Sequence, residues 1–200
     1  MSDDRPAAAD AAPETTQDIP PALRLTRGAR VMWALIAGAV CAAVVLRYDV
    51  TPAAAVFAVL ALLLVCAAAG DAATWRIPNA LVLTVVLLWV VSAAVSVVAG
   101  WRSLAEMALQ CALGALAAVG PALLVTAVAA AFGKEGFGGG DLKLLAAVGL
   151  FFTWRENLVA LVIACVVGAV LGLVLKLRRG VEKLPFGVGI AVGWIALILL

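Results

Sequence analysis

Seven apolar segments follow one another along this chain after about residue 30, and only short connections separate them. Most have about the 17–25 residues that a helix needs to cross the apolar core of a bilayer. The segments cover residues 31–46, 52–70, 77–99, 107–132, 137–152, 158–175 and 185–200. The sequence therefore predicts an all-α, polytopic membrane helical bundle of about seven transmembrane helices.

The composition excludes several classes of protein. Hydrophobic residues make up 66% of the 200-residue chain and charged residues 13%, whereas soluble domains are about half apolar and about a quarter charged. A disordered protein, a nucleic-acid-binding protein or an ordinary cytosolic protein would be far more polar. We therefore expect the lipid bilayer as the surroundings and no nucleic acid as a partner.

Histidine is absent, and the cysteines all lie inside apolar segments. Without an imidazole the chain cannot build a Ser-His-Asp triad. No two cysteines form a C-x-x-C pair, so neither a zinc site nor a disulfide is predicted, and we expect no metal and no cofactor. The four cysteines are Cys41, Cys66, Cys111 and Cys165.

The chain divides into three predicted parts. Residues 1–28 lack apolar periodicity and predict a disordered cytosolic tail. Residues 29–51 predict one transmembrane helix and an external turn, and residues 52–200 predict a six-helix membrane domain.

Of the 14 Lys and Arg residues, only Arg47, Arg102 and Arg155 fall on the side opposite the amino terminus. Because cytoplasmic connections are enriched in Lys and Arg, we predict a multi-pass protein with a cytosolic amino terminus.

Asp71 and Asp141 are the only aspartates beyond the turn at residues 47–49, and the predicted topology places both at the cytosolic membrane face. Ionisable groups at membrane depth are costly and mark functional sites. Each of the three glycines before Asp141 costs a helix up to about 1 kcal/mol relative to Ala, but glycine allows another backbone to come close. Alternatively, each aspartate simply caps a helix or meets water at the interface.

Two facing carboxyl groups are the catalytic groups that an aspartic protease requires. They cannot both ionise readily when they lie a few ångströms apart, so they share one proton. The ionised carboxylate takes a proton from water, which attacks the peptide carbonyl; the protonated one hydrogen-bonds the carbonyl oxygen and then protonates the leaving amine. This chemistry needs no histidine, metal or covalent intermediate, which suits the residues present.

The local sequences around both aspartates resemble those of one family. Asp71 begins the pattern Asp-x-x-x-x-Arg-Ile-Pro-Asn, and Asp141 lies in the pattern Gly-Gly-Gly-Asp-x-Lys. The two patterns together closely resemble those of the prepilin peptidases, which are membrane aspartic proteases of the GxGD type. The best match is the short form of this family, which serves Flp/Tad-type and other type IV pilins. The resemblance covers about residues 52–200, with a weaker match at Leu184-Pro185-Phe186-Gly187.

The resemblance implies that Asp71 and Asp141 are the catalytic pair. It implies prepilin or pseudopilin substrates, cut at the cytosolic face of the inner membrane between a short basic leader ending in Gly and an apolar helix. Longer relatives, which also methylate the new amino terminus, carry a cytosolic insertion with paired cysteines. This sequence has no such pair, so we expect peptidase activity without methyltransferase activity. Further motif residues are Gly138, Gly139, Gly140, Lys143, Arg76, Pro78 and Asn79.

The side chains near the two aspartates have predicted roles of their own. Lys143 lies about 200° around a helix from Asp141, which favours an ammonium that reaches the interface over a direct pair. Arg76 either orients Asp71 or contacts a lipid phosphate. Pro78 is predicted to begin the third helix, where its missing N–H costs little. Only the resemblance suggests that Asn79 lines the site.

Three other functions compete with the peptidase. A small ion- or proton-coupled transporter would use the same two aspartates as an ion site, although carrier sites usually lie near the midplane and between repeats. A structural membrane subunit would have no activity. A peptidase of the signal-peptide-peptidase type would need a Tyr-Asp motif inside a helix, and Tyr48-Asp49 lies in a predicted external turn.

Overall fold

The computed structural model describes residues 26–74, 76–133, 136–179 and 186–200, and all regular structure within them is helical. Seven helices follow in the predicted order: α1 Arg27–Tyr48, α2 Pro52–Thr74, α3 Asn79–Val98, α4 Leu104–Ala131, α5 Gly139–Gly149, α6 Trp154–Arg179 and α7 Phe186–Leu199. The predicted disordered tail falls mainly on residues 1–25, which lie outside the described part of the chain.

Five of these helices, α1, α2, α3, α4 and α6, are long and apolar enough to cross a membrane. Helix α7 is apolar but has 14 residues. Helix α5 has 11 residues and is about 16 Å long, so it is too short to be a spanning helix by itself. The predicted all-α, multi-pass membrane bundle is confirmed, with α5 as a short helix inside it.

Polar caps set the starts of three helices earlier than the apolar segments predicted. Ser103 and Glu106 form a reciprocal capping box, so α4 begins at residue 104 rather than 107. The pair Thr153 and Glu156 does the same for α6, which begins at residue 154 rather than 158. Thr26 accepts a hydrogen bond from the N–H of Ala29, so α1 includes two residues that the predicted tail contained. Each cap satisfies backbone N–H groups that a helix start leaves unpaired.

Helix α7 packs between α2 and α6 near the centre of the bundle, whereas α5 packs mainly against α4 and α3. Glycines allow the closest approaches, because a Cβ on Gly193 would collide with the carbonyl oxygen of Ala160 and one on Gly114 with that of Gly149. Helix α4 therefore packs closely through its small residue Gly114. Large apolar side chains are buried between these helices, including Leu60, Leu64, Leu144, Leu145 and Trp194.

Contacts between helix termini define the two ends of the bundle. At one end, stacked and tilted rings of Tyr48, Phe57 and Phe152 join the end of α1, the start of α2 and the α5–α6 turn. Arg47 donates to the backbone carbonyl of Leu200 at the same end. The opposite end gathers the last turn of α2 and the first residues of α3, α5 and α7, and both aspartates lie there.

Candidate active site

Asp71 lies in the last turn of α2 and is 5% exposed. Its Oδ2 atom accepts a 2.8 Å hydrogen bond from the backbone N–H of Gly187, in the first turn of α7. A Cβ at residue 187 would come within 2.8–3.0 Å of the Asp71 side chain, so only glycine permits this approach. The buried carboxylate therefore caps the N-terminus of a neighbouring helix, where backbone N–H groups favour negative charge.

Asp141 lies in the first turn of α5 and is half-buried. Burial, together with the nearby charge of Asp71, raises the pKa of Asp141 from 3.8 to about 6, while a hydrogen bond from the backbone of Gly138 opposes the rise. The two aspartates therefore lie near enough for the ionisation of one to affect the other. Helix α5 begins at Gly139, so two of the three glycines before Asp141 lie in its first turn and Gly138 is the N-cap residue.

The two sequence motifs meet at this end of the bundle. The backbone of Gly140 lies against Ile77, where an added Cβ would be 3.4 Å from the Ile77 Cβ. Lys143 donates a 3.2 Å hydrogen bond from Nζ to Oδ1 of Asn79. Residues 64 positions apart in sequence are thus joined, and the start of α5 is fixed to the start of α3.

Two neighbours hold the segment that leads into α5. The backbone N–H of Phe137 donates to Oγ1 of Thr126 on α4 at 3.1 Å. The ring of Phe137 packs edge-on against that of Phe186, the first residue of α7, with centroids 4.6 Å apart. The segment that precedes Asp141 therefore contacts both α4 and α7, the helix that Asp71 caps.

The other predicted site residues take simpler positions. Pro78 precedes α3 as its N-cap residue with extended backbone, so the helix begins one residue later than predicted, at Asn79. The backbone carbonyl of Arg76 accepts a 3.2 Å hydrogen bond from the hydroxyl of Thr74, and the Arg76 side chain is exposed. A Cβ on Gly139 would meet nothing within 4 Å. Leu184 and Pro185 of the weaker motif lie outside the described residues.

Sequence reasoning missed three partners of this site: Gly187, Thr126 and Ile77. Gly187 stands in the quoted Leu-Pro-Phe-Gly match, but nothing local shows that its N–H binds an aspartate on α2. Thr126 is a single hydroxyl in an apolar helix, which signals a polar contact without naming its partner. Each of these contacts depends on tertiary packing between segments far apart in the chain.

The arrangement brings two carboxyl groups of different surroundings to the same end of the bundle: a buried one that caps α7 and a half-buried one in the first turn of α5. Pairs whose environments differ in this way serve as acid and base. Within the described ranges, no group of three or more His, Cys, Asp or Glu residues could hold a metal ion.

Comparison with known proteins gives a consistent match to one family. The sequence model of the type IV leader peptidase family matches residues 58–173, more than half of the chain. The prepilin leader peptidase/N-methyltransferase of Aeromonas salmonicida (strain A449) is 44% identical over 70 residues, 33% of this chain and 24% of that protein. The protein of the same name from Burkholderia pseudomallei (strain 1026b) is 48% identical over 64 residues, 30% of this chain and 21% of that protein.

A third relative with that name, from Pseudomonas aeruginosa, is 41% identical over 70 residues, 33% of this chain and 24% of that protein. The matched region spans about a quarter of the length of these curated relatives. No solved structure matches the chain. The resemblance predicted from the two aspartate motifs is confirmed by the family match.

Proposed function

This chain belongs to the type IV leader peptidase family, and on that premise we propose that it is an aspartic endopeptidase acting through Asp71 and Asp141. The observation that carries the proposal is the meeting of the two motifs at one end of the bundle. Asp71 there caps α7, and its charge contributes to the raised pKa of Asp141. Gly140 and Lys143 support the pair by joining α5 to residues 77–79.

We propose a role for each carboxyl group from its surroundings. Oδ2 of Asp71 accepts from a backbone N–H at the start of α7, which favours its carboxylate form, so we propose that Asp141 carries the shared proton. Asp71 takes a proton from water as the water oxygen attacks the peptide carbonyl. Asp141 hydrogen-bonds the carbonyl oxygen and delivers its proton to the leaving amine. One water is consumed, the products are a carboxylic acid and an amine, and the proton that Asp71 took from water replaces the one that Asp141 gave up.

We propose prepilins or pseudopilins as substrates, with cleavage between a basic leader ending in Gly and an apolar helix that stays in the membrane. Family membership supports this class, since the curated relatives are named prepilin leader peptidases. Flp/Tad-type pilins are the specific class that we propose. The excess of basic residues on the side of the amino terminus supports an inner-membrane protein whose site faces the cytosol.

We further propose that the chain does not methylate the new amino terminus, although the curated relatives are named as both peptidase and N-methyltransferase. The sequence contains no C-x-x-C pair, the feature that the longer enzymes carry in their cytosolic insertion. Incubation of cleaved pilin with a labelled methyl donor measures this directly. Label in the pilin amino terminus would contradict the proposal.

The experiment for the peptidase itself is cleavage of a panel of prepilins by membranes that contain the chain, with membranes lacking it as the control. We expect a single cut after the leader Gly in at least one Flp/Tad-type prepilin, identified by mass spectrometry. Replacing that Gly by a bulky residue in the substrate should abolish the cut. An uncut panel together with ion flux into vesicles would contradict the proposal and favour the transporter.

A further inference from the structure

A fully buried polar side chain, Asn157, lies in the first turn of α6 and is 0% exposed. Its Nδ2 group donates to the backbone carbonyls of Gly149 at 3.0 Å, Phe152 at 3.1 Å and Gly114 at 3.2 Å. Its Oδ1 atom accepts from the indole N–H of Trp194 at 3.0 Å. Because carbonyls only accept and an indole N–H only donates, these partners fix the orientation of the amide.

Two of the four partners of Asn157, Gly149 and Trp194, lie on α5, which holds Asp141, and on α7, whose first turn binds Asp71. Gly149 is the last residue of α5, whose first turn holds Asp141 about 12 Å away along the helix. Trp194 lies on α7, about 10 Å along that helix from the Gly187 N–H that binds Asp71. One side chain of α6 therefore binds both helices at the end remote from the carboxyl groups.

Helix α5 needs such an anchor because 11 residues are too few for a helix to be stable alone. The last carbonyl groups of a helix have no partners within it, and Asn157 supplies one of those of α5, the carbonyl of Gly149, with an N–H donor. The close contact of α5 with α4 further restricts the position of α5, because an added Cβ at Gly149 would lie 2.8 Å from the Cβ of Ala118. The axial position of α5 is thus set at its C-terminal end.

We propose that Asn157 is a positioning residue for the aspartate pair. It fixes α5 and α7 to a common point, and this sets the separation between Asp141 and the Gly187 N–H that binds Asp71. The inference rests on the proposed function for its catalytic consequence, whereas its structural part concerns the spacing of α5 and α7 and is measured without substrate.

The first measurement is the distance between spin labels on α5 and α7. Gly139→Cys suits α5, because a Cβ there would meet nothing within 4 Å, and Val192→Cys suits α7, because that side chain is 40% exposed. Both are placed in a background in which the four native cysteines are replaced. We expect Asn157→Leu to shift or broaden the distance distribution, and Trp194→Phe, which removes the indole N–H together with part of the buried ring, to do so less strongly.

Thr153→Ala is the matched control. It removes the hydroxyl that caps α6 and leaves the four side-chain hydrogen bonds of Asn157 in place, so it should destabilise the helix start without changing the label distance. If Asn157→Leu does not fold, Trp194→Phe decides. An unchanged distribution in the folded variants, or an equal change in Thr153→Ala, would overturn the proposal.

The second measurement is the cleavage rate of folded protein on a prepilin. We expect kcat of Asn157→Leu to fall about tenfold or more with KM within about threefold, because misplaced catalytic groups affect the chemical step more than binding. The pH profile should also shift, since the charge of Asp71 influences Asp141. A loss that follows only the amount of folded protein would contradict positioning. If wild type cuts no prepilin, the proposed function fails while the label distances still decide the role of Asn157.

Discussion

Adjacent glycines before Asp141 have different surroundings, and this gives a prediction at the scale of single residues. A Cβ on Gly138 would lie 3.2 Å from Oδ2 of Asp141, whereas one on Gly139 would meet nothing within 4 Å. We expect Gly138→Ala to displace the carboxylate and to lower kcat about tenfold, because small misplacements of catalytic groups are costly. Gly139→Ala is its matched control and should stay within about twofold of wild type. Equal effects of the two substitutions would contradict this account of the glycines.

Asp141 is also the residue whose ionisation should change stability with pH. Its pKa in the folded chain, about 6, exceeds the ordinary 3.8 because of burial and the charge of Asp71. The folded state therefore binds more protons than the unfolded state, and this contribution to stability is lost as the pH rises from about 4 through 6. We expect Asp141→Asn to raise the melting temperature relative to wild type at pH 7.5 more than at pH 4. A smaller difference at pH 7.5, measured by thermal melts in detergent, would contradict the shifted pKa.

Asp71, Asp141 and Asn157 show which functional residues can be identified from the sequence and which cannot. Asp71 and Asp141 were identifiable because ionisable groups are rare in apolar helices and each has a recognisable local pattern. Asn157 carried no such signal, because it precedes the predicted segment 158–175, and its four partners come from three other helices and the α5–α6 turn. A pattern of residues shows that a polar group needs partners, and only packing decides which ones it finds.

At the scale of helices, the position of α5 depends on contacts at both of its ends. Lys143 joins its first turns to the start of α3 through Asn79, whereas the sequence predicted an ammonium reaching the interface. We expect Lys143→Met to loosen this junction and to lower kcat about tenfold. Lys143→Arg retains a donor and should lose less. Single-turnover cleavage rates of the folded variants measure the difference, and a Lys143→Met enzyme as fast as wild type would contradict the role of the junction.

Helix order was predictable from apolar segments, but several boundaries were not. Counting apolar residues excludes polar caps by construction, so α4 and α6 begin earlier than predicted. The pairs Ser103 with Glu106 and Thr153 with Glu156 have the spacing of capping boxes, and that signature would have located both starts. The length of α5 was overestimated because the residues flanking it, Phe137 and Phe152, are apolar but pack outside the helix.

For the whole molecule, the proposed orientation places the aspartate end of the bundle in the cytosol and the α3–α4 turn outside. Single cysteines in a background without the native ones test this: Gly139→Cys at the aspartate end and Ser103→Cys before α4 are both exposed positions. In intact cells we expect a membrane-impermeant maleimide to label residue 103 and not residue 139, with both labelled after lysis. The reverse pattern would contradict the orientation derived from the basic residues. The assignment of α1 as an addition to a six-helix peptidase domain stays a prediction.

The central claim is that Asp71 and Asp141 act as one unit on a prepilin. The most direct measurement compares cleavage after the leader Gly by wild type, Asp71→Asn, Asp141→Asn and the double variant, each shown to be membrane-inserted in equal amount. Asparagine keeps the shape of the side chain but cannot take up or deliver the shared proton. The account predicts that either single variant loses at least about a hundredfold in rate and that the double variant is no worse, because residues acting together are not additive. A single variant that retains most of the wild-type rate would contradict it.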